Sequence, residues 1–113
     1  MKKLYILFIF SMVLACVTEE KPPDNIMSQQ QMIDFLIDLH IVEAKVSMLR
    51  IPFDSVKLFF TEVEDSLYRK HQISDSTYKK SYQYYLENIT QMEEIYAAVV
   101  DSLSLRERIM GTQ

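Results

Sequence analysis

The chain has 113 residues, a net charge of -4 at pH 7, one glycine and one cysteine. That length suits a single domain with one modest core, and a lone cysteine excludes an internal disulfide. The acidic balance excludes nucleic acid as an expected partner, because phosphate binding needs clustered cations and Lys79-Lys80 and Arg106/Arg108 are isolated pairs.

The first element is a leader. Lys2 and Lys3 form a positive start, Leu4 to Leu14 an apolar run, and Ala15 a small residue before a cleavage point. The run is too short to cross a membrane core of ~30 Å and is followed directly by Thr18, Glu19, Glu20 and Lys21. Val13-Leu14-Ala15-Cys16 resembles the bacterial lipobox, departing from it only in the bulk of Leu14. The resemblance implies that residues 1–15 are removed and that Cys16 carries acyl chains. An unmodified thiol sent to an oxidising compartment without a partner would be a reactive liability. Cleavage takes Lys+Arg from 12 to 10 against 16 Asp+Glu, a net charge of -6 on the mature chain.

Residues 16–27 read as a lipidated tether, polar and stiffened by Pro22-Pro23. Residues 28–110 read as the helical domain. Ser28 and Gln31 have capping-box spacing, with Met27 placed to staple onto Met32, and Met32, Phe35, Leu36, Leu39, Val42, Val46 and Leu49 recur at helical intervals. Asp34, Asp38 and Lys45 fall off that stripe. Pro52 ends the run, and Asp54 or Ser55 is expected to cap a second helix carrying Val56, Phe59, Phe60, Val63 and Leu67 and stopping near His71.

Ser74 caps a third, shorter helix with Tyr78, Tyr82 and Tyr85 on one face. Their spacing fits the edge of a small core with hydroxyls reaching water, and Tyr84 points elsewhere, toward the surface. Thr90 and Glu93 have capping-box spacing for a fourth helix bearing Met92, Ile95, Tyr96, Val99 and Leu103, with fraying expected from Met110 to Gln113. No strand-like alternation flanks a glycine turn. The predicted fold is all-α, a small bundle of three to four helices after a lipoprotein signal peptide and flexible tether.

The segments KPPDNIMSQQQMIDFLIDLHIVEA and ISDSTYKKSYQYYLENITQMEEIYAAVVDSLS resemble a family of small Bacteroidetes lipoproteins classed as domain of unknown function 4296. The matching positions are Lys21-Pro22, Met32, Leu36, Asp38, Leu39, His40, Glu43, Ala44, Ile73, Tyr84-Tyr85, Ile95-Tyr96 and Val99. His71-Gln72 replaces the usual Tyr-Gly, and Asn88-Ile89 replaces a common Asn-Pro. A non-glycine residue at a left-handed helix end costs ~1 kcal/mol or shifts the turn. The resemblance implies a fold and an outer-membrane address; the family has no established activity.

His40 and Glu43 lie three apart and can face one side of a helix, as two metal ligands or an acid–base pair. Zinc or di-iron sites need further ligands, for which only a distant His71 is in view, so the expected reading is a stripe-edge histidine bonded to Glu43 or to a neighbouring helix. Asp-Ser followed by an apolar residue or threonine occurs at Ser55, Ser66, Ser76 and Ser102. This resembles an O-glycosylation signal of exported Bacteroidetes proteins, set against plain helix caps at Ser55 and Ser76 and solvated helix faces at Ser66 and Ser102. Nucleophile elbows, glycine-rich phosphate loops and His-Glu-x-x-His are absent from the sequence.

The expected function is a non-enzymatic envelope lipoprotein that binds another envelope protein through a face near Asp38, His40, Glu43 and Tyr84. No cofactor or small-molecule substrate is expected. The alternative is a chaperone-like module clasping unfolded clients with Met48 and exposed aromatics; a weaker one is a metal-dependent enzyme using His40 and Glu43. Glu19-Glu20 beside the anchor resembles an acidic surface-export signal, and equally suits a solvated linker.

Overall fold

A computed structural model describes residues 21–111. The helices are α1 Gln29–Met48, α2 Phe53–His71, α3 Asp75–Glu87 and α4 Ile89–Gly111, and the described residues contain no strand. The predicted all-α bundle is therefore the observed architecture. α1 packs against both α2 and α4, and α4 also packs on α3.

α1 starts as its sequence dictates. Ser28 Oγ accepts from the Gln31 amide at 3.1 Å, and Gln31 Oε1 accepts from the Ser28 amide at 2.8 Å, which satisfies two amides that the first turn leaves unpaired. Met27 and Met32 occupy the staple positions and are both buried in the same cluster. Of the predicted stripe, Met32, Phe35, Leu36 and Val46 are buried, while Leu39 and Val42 are half-buried against the core. Leu49 leaves the helix in extended backbone and is 46% exposed. Ile37, off the predicted stripe, is buried because α1 has neighbours on two flanks.

The helix starts of α2 and α4 correct the prediction. Neither Asp54 nor Ser55 caps α2: Pro52 holds the cap position, its carbonyl accepting from the Ser55 and Val56 amides at 3.0 Å, and no side chain bonds the end. Pro52 has no amide hydrogen to satisfy and its carbonyl opens the first turn, so the helix begins one residue before the first side-chain cap candidate. Thr90 lies inside α4, whose first turn is opened by the Asn88 carbonyl accepting from Met92. Asn88 also closes α3, with its amide on the Tyr85 carbonyl and its side chain donating to the Tyr84 carbonyl at 2.7 Å. One residue serves both helices, which leaves no room for a separate box at Thr90. Met110 and Gly111 stay helical rather than fraying.

α2 ends at His71 as predicted, and the turn that follows keeps the usual glycine geometry without a glycine. Gln72 is left-handed at φ 55°, ψ 41°; its amide bonds the Arg69 carbonyl and the Ile73 amide bonds the Tyr68 carbonyl. That is the Schellman pattern, completed by Ile73 packing on the core that contains Tyr68.

Phe35 is the hub of the core. Its ring stacks on Tyr68 of α2 at 5.6 Å, meets His71 edge-on at 5.3 Å and lies 4.6 Å from Tyr78 of α3. Only the C-terminal part of α2 is buried, through Leu67 and Tyr68; Val56, Phe60 and Val63 are half-buried and Phe59 is exposed. α3 returns along α1 toward Met27, so its contacts cover the late turns of α2 and leave the early ones bare.

Candidate interaction site

The polar side chains form three constellations. In the first, Asp38 Oδ2 accepts from Lys70 Nζ at 2.7 Å and bonds His71 Nε2 at 2.8 Å, joining the middle of α1 to the end of α2. Asp38 and His71 are mostly buried, whereas Lys70 is largely in water. Burial pushes the Asp38 carboxyl up, but the hydrogen bonds and charges of Lys70 and His71 outweigh it and hold the group below its ordinary value. Asp38 thus lies off the apolar stripe, as the sequence indicates, and belongs to a helix–helix contact.

The second is His40 Nδ1 with Glu43 Oε2, 3.1 Å apart on α1 and both partly exposed. The hydrogen bond to Glu43 is the one expected for a stripe-edge histidine. His71, the distant third ligand in view from sequence, is engaged with Asp38 instead. Among the described residues no three His, Cys, Asp or Glu side chains are grouped so as to hold a metal ion.

The third is tyrosine-rich. Tyr85 is buried and donates to the Met27 carbonyl at 2.7 Å, while Ser81 Oγ accepts from the Met27 amide at 2.8 Å and donates to the Thr77 carbonyl at 2.6 Å. Tyr82 and Tyr96 hydroxyls bond each other at 3.2 Å, and the Tyr68 hydroxyl is shared between Glu64 at 2.7 Å and Asp75 at 3.1 Å. Tyr78 and Tyr82 lie at the core edge as predicted, whereas Tyr85 is fully buried; the Tyr82 hydroxyl meets Tyr96 and that of Tyr85 the Met27 carbonyl instead of water. Burial, then Tyr82, Glu43 and Glu64, pushes Tyr78 up to about 12, and burial together with Tyr82 raises Tyr96 as well. These phenols stay protonated at neutral pH.

Tyr84 is half-buried, edge-on to Tyr85 at 5.1 Å. The four residues predicted to share an interaction face are therefore dispersed. Asp38 and His40 lie two apart on a helix and point about 160° apart, and Tyr84 sits beside the Tyr85–Met27 contact at the start of α1. His40 and Glu43 remain together and accessible.

Ser55 and Ser76 lie in first helical turns and Ser66 in mid-helix, all exposed, while Ser102 is half-buried in α4. Ser74, not Ser76, caps α3, accepting from the Thr77 amide at 3.0 Å. Cys16 and residues 1–20 lie outside the described residues. Sequence reasoning missed Ser81 as a buried partner, although its place on the Tyr78–Tyr82–Tyr85 face, a small hydroxyl within an apolar stripe, was the available signal.

No curated protein and no solved structure matches the chain. The family model described as Domain of unknown function (DUF4296) matches residues 23–109, which cover the first three helices and all but the last two residues of α4, and the chain belongs to that family.

Proposed function

We propose that the protein is a non-enzymatic envelope lipoprotein, held at the outer membrane by acyl chains on Cys16, whose helical domain binds another envelope protein. The observation that carries this reading is Val13-Leu14-Ala15-Cys16 at the end of an apolar leader, directly before an acidic, proline-bearing segment. Each buried methylene contributes ~0.8 kcal/mol, so two or more chains make release slow. The fold supports the reading by keeping its catalytically versatile side chains in internal contacts: Asp38 with His71 and Lys70, and the tyrosines with one another and with the backbone. His40 and Glu43 supply the accessible polar pair for a partner.

Cys16→Ser should move the protein out of the membrane fraction; retention of the variant there would overturn the anchor. Pull-down of the acylated protein from its native membrane should recover one stoichiometric partner, lost on His40→Ala/Glu43→Ala with helicity unchanged. Undiminished recovery would remove that pair from the interface.

The chaperone-like alternative is favoured by one observation, the high exposure of Met48 and Phe53. It predicts many clients in the pull-down and suppression of aggregation by the purified mature chain. The enzyme reading predicts stoichiometric metal at His40 and Glu43, which elemental analysis of the protein isolated from its native source would detect.

A further inference from the structure

Where α1 hands over to α2, the bundle ends in apolar side chains that no described residue covers: Met48 is 80% exposed, Phe53 84% and Leu58 73%. The charge there is opposite to that of the chain. Residues 45–57 hold Lys45, Arg50 and Lys57 against Asp54 alone, a net +2, while the whole chain is -4, which leaves -6 for the remaining residues. An open groove of ≈ 540 Å³ runs to the same end between the C-terminal halves of α1 and α4, lined by Ile41, Lys45, Leu103, Arg106 and Met110 among others. Arg106 and Glu107 balance each other there, so the groove extends the apolar surface beside Lys45 and leaves the local charge at +2.

We propose that this end of the bundle rests on an anionic phospholipid bilayer, with Met48 and Phe53 entering the headgroup boundary and Lys45, Arg50 and Lys57 pairing with phosphates around them. Long cationic side chains can lay their stems along apolar surface and keep their charge at the interface. Basic residues bordering exposed apolar side chains match a surface that is apolar inside and anionic outside. A second copy joined tip to tip would set +2 against +2. Large apolar side chains left exposed at one helix junction suit an interaction site, and the reversed charge selects the bilayer.

The tether adds an argument that rests on acylation of Cys16, whereas the charge and exposure do not. Five residues from Cys16 to Lys21 extend at most ~17 Å, less than the ~30 Å length of 20-residue α1. A domain so held stays close to the bilayer, and its far tip meets the lipid when α1 lies along the membrane plane.

The test uses protein isolated from membranes of cells expressing the full chain, with an environment-sensitive fluorophore at Phe53→Cys or, as control, at exposed Glu94→Cys. Each is placed in vesicles of phosphatidylcholine alone or with phosphatidylglycerol. The label at 53 should shift to the blue and be quenched by a lipid-borne quencher in the anionic vesicles, with loss of the shift in Arg50→Glu/Lys57→Glu and in high salt. The label at 94 should not move. Equal behaviour at 53 and 94 overturns the proposal, as does a shift at 53 that grows with protein concentration without lipid, which would mean that a second copy covers the tip. Mass analysis of Cys16 judges the anchor separately: if Cys16 carries no acyl chain, the same labels in a Cys16→Ser background, added to vesicles from solution, still decide the tip.

Discussion

The Tyr85 hydroxyl donates to the Met27 carbonyl at 2.7 Å across 58 residues of sequence, and one helical turn earlier Ser81 receives the Met27 amide at 2.8 Å. Two side chains of α3 thus satisfy both polar groups of a residue that lies just before α1 and is 2% exposed. The segment leading from Cys16 is fastened to the core at that point. Tyr85→Phe keeps the ring and strands the carbonyl, and Ser81→Ala strands the amide; each should cost about 1–3 kcal/mol, the penalty of a buried unpaired group. Because both act on one residue, the double variant should lose less than the sum. Chemical unfolding of the four proteins measures this, and additive losses would mean the two bonds are independent.

Asp38 gives a pH signature. Its carboxyl is lowered in the folded chain, so the folded state favours the ionised form more than the unfolded state does. The contribution is present above the unfolded value, near 3.8, and is lost as pH falls through the lower folded value. Asp38→Asn should be less stable than the parent at pH 7, by about 1–3 kcal/mol for charge-assisted bonds, and the gap should close in acid below that window. A gap that persists unchanged once the folded carboxyl has itself been protonated would show that the carboxylate's charge is not what the contact uses.

Gln72 stands in left-handed backbone with an exposed side chain. Nothing is lost by removing that side chain, and glycine adopts the conformation without a Cβ penalty. Gln72→Gly should raise stability by about 1 kcal/mol, read as a shift in the unfolding midpoint at constant slope. Lowered stability would mean that the greater freedom of glycine in the unfolded chain dominates at this site.

What the sequence disclosed follows from the range over which its signals act. The Ser28–Gln31 box, the α1 stripe, the end of α2 at His71 and the tyrosine face of α3 are local, repeating patterns, and each is where the pattern put it. Long-range pairing was not legible: the Asp38–His71 contact spans 33 residues and the Met27 fastening more than 50. Off-stripe Ile37 and polar Ser81 are buried only because a second helix arrives there. The exposed tip shows the converse, since the α2 pattern Val56–Phe59–Phe60–Val63 promises burial that the described helices provide only in part, leaving Phe59 exposed. The paired His40 and Glu43 were legible because a spacing of three sets them on one face, whereas the dispersal of Asp38 and Tyr84 depended on the tertiary fold.

The four Asp-Ser sites separate by how much helix must open to reach them. Ser55 and Ser76 lie in the first turns of α2 and α3, where opening disrupts few hydrogen bonds, and the α2 start has no side-chain cap to hold it. Ser66 is exposed but central in α2, and Ser102 is half-buried in α4, so a transferase acting on the folded chain would have to unwind a helix interior. If glycosylation follows folding, site-resolved mass spectrometry of the native protein should find sugar at Ser55 and Ser76, with Ser102 the least occupied. Sugar confined to Ser66 and Ser102 would show modification of the unfolded chain, and complete absence would leave the Asp-Ser pairs as ordinary solvated helix positions. Ser55→Ala and Ser76→Ala separate the two roles: neither hydroxyl caps its helix, so each variant should keep its stability within about 0.5 kcal/mol of the parent while losing any sugar it carried.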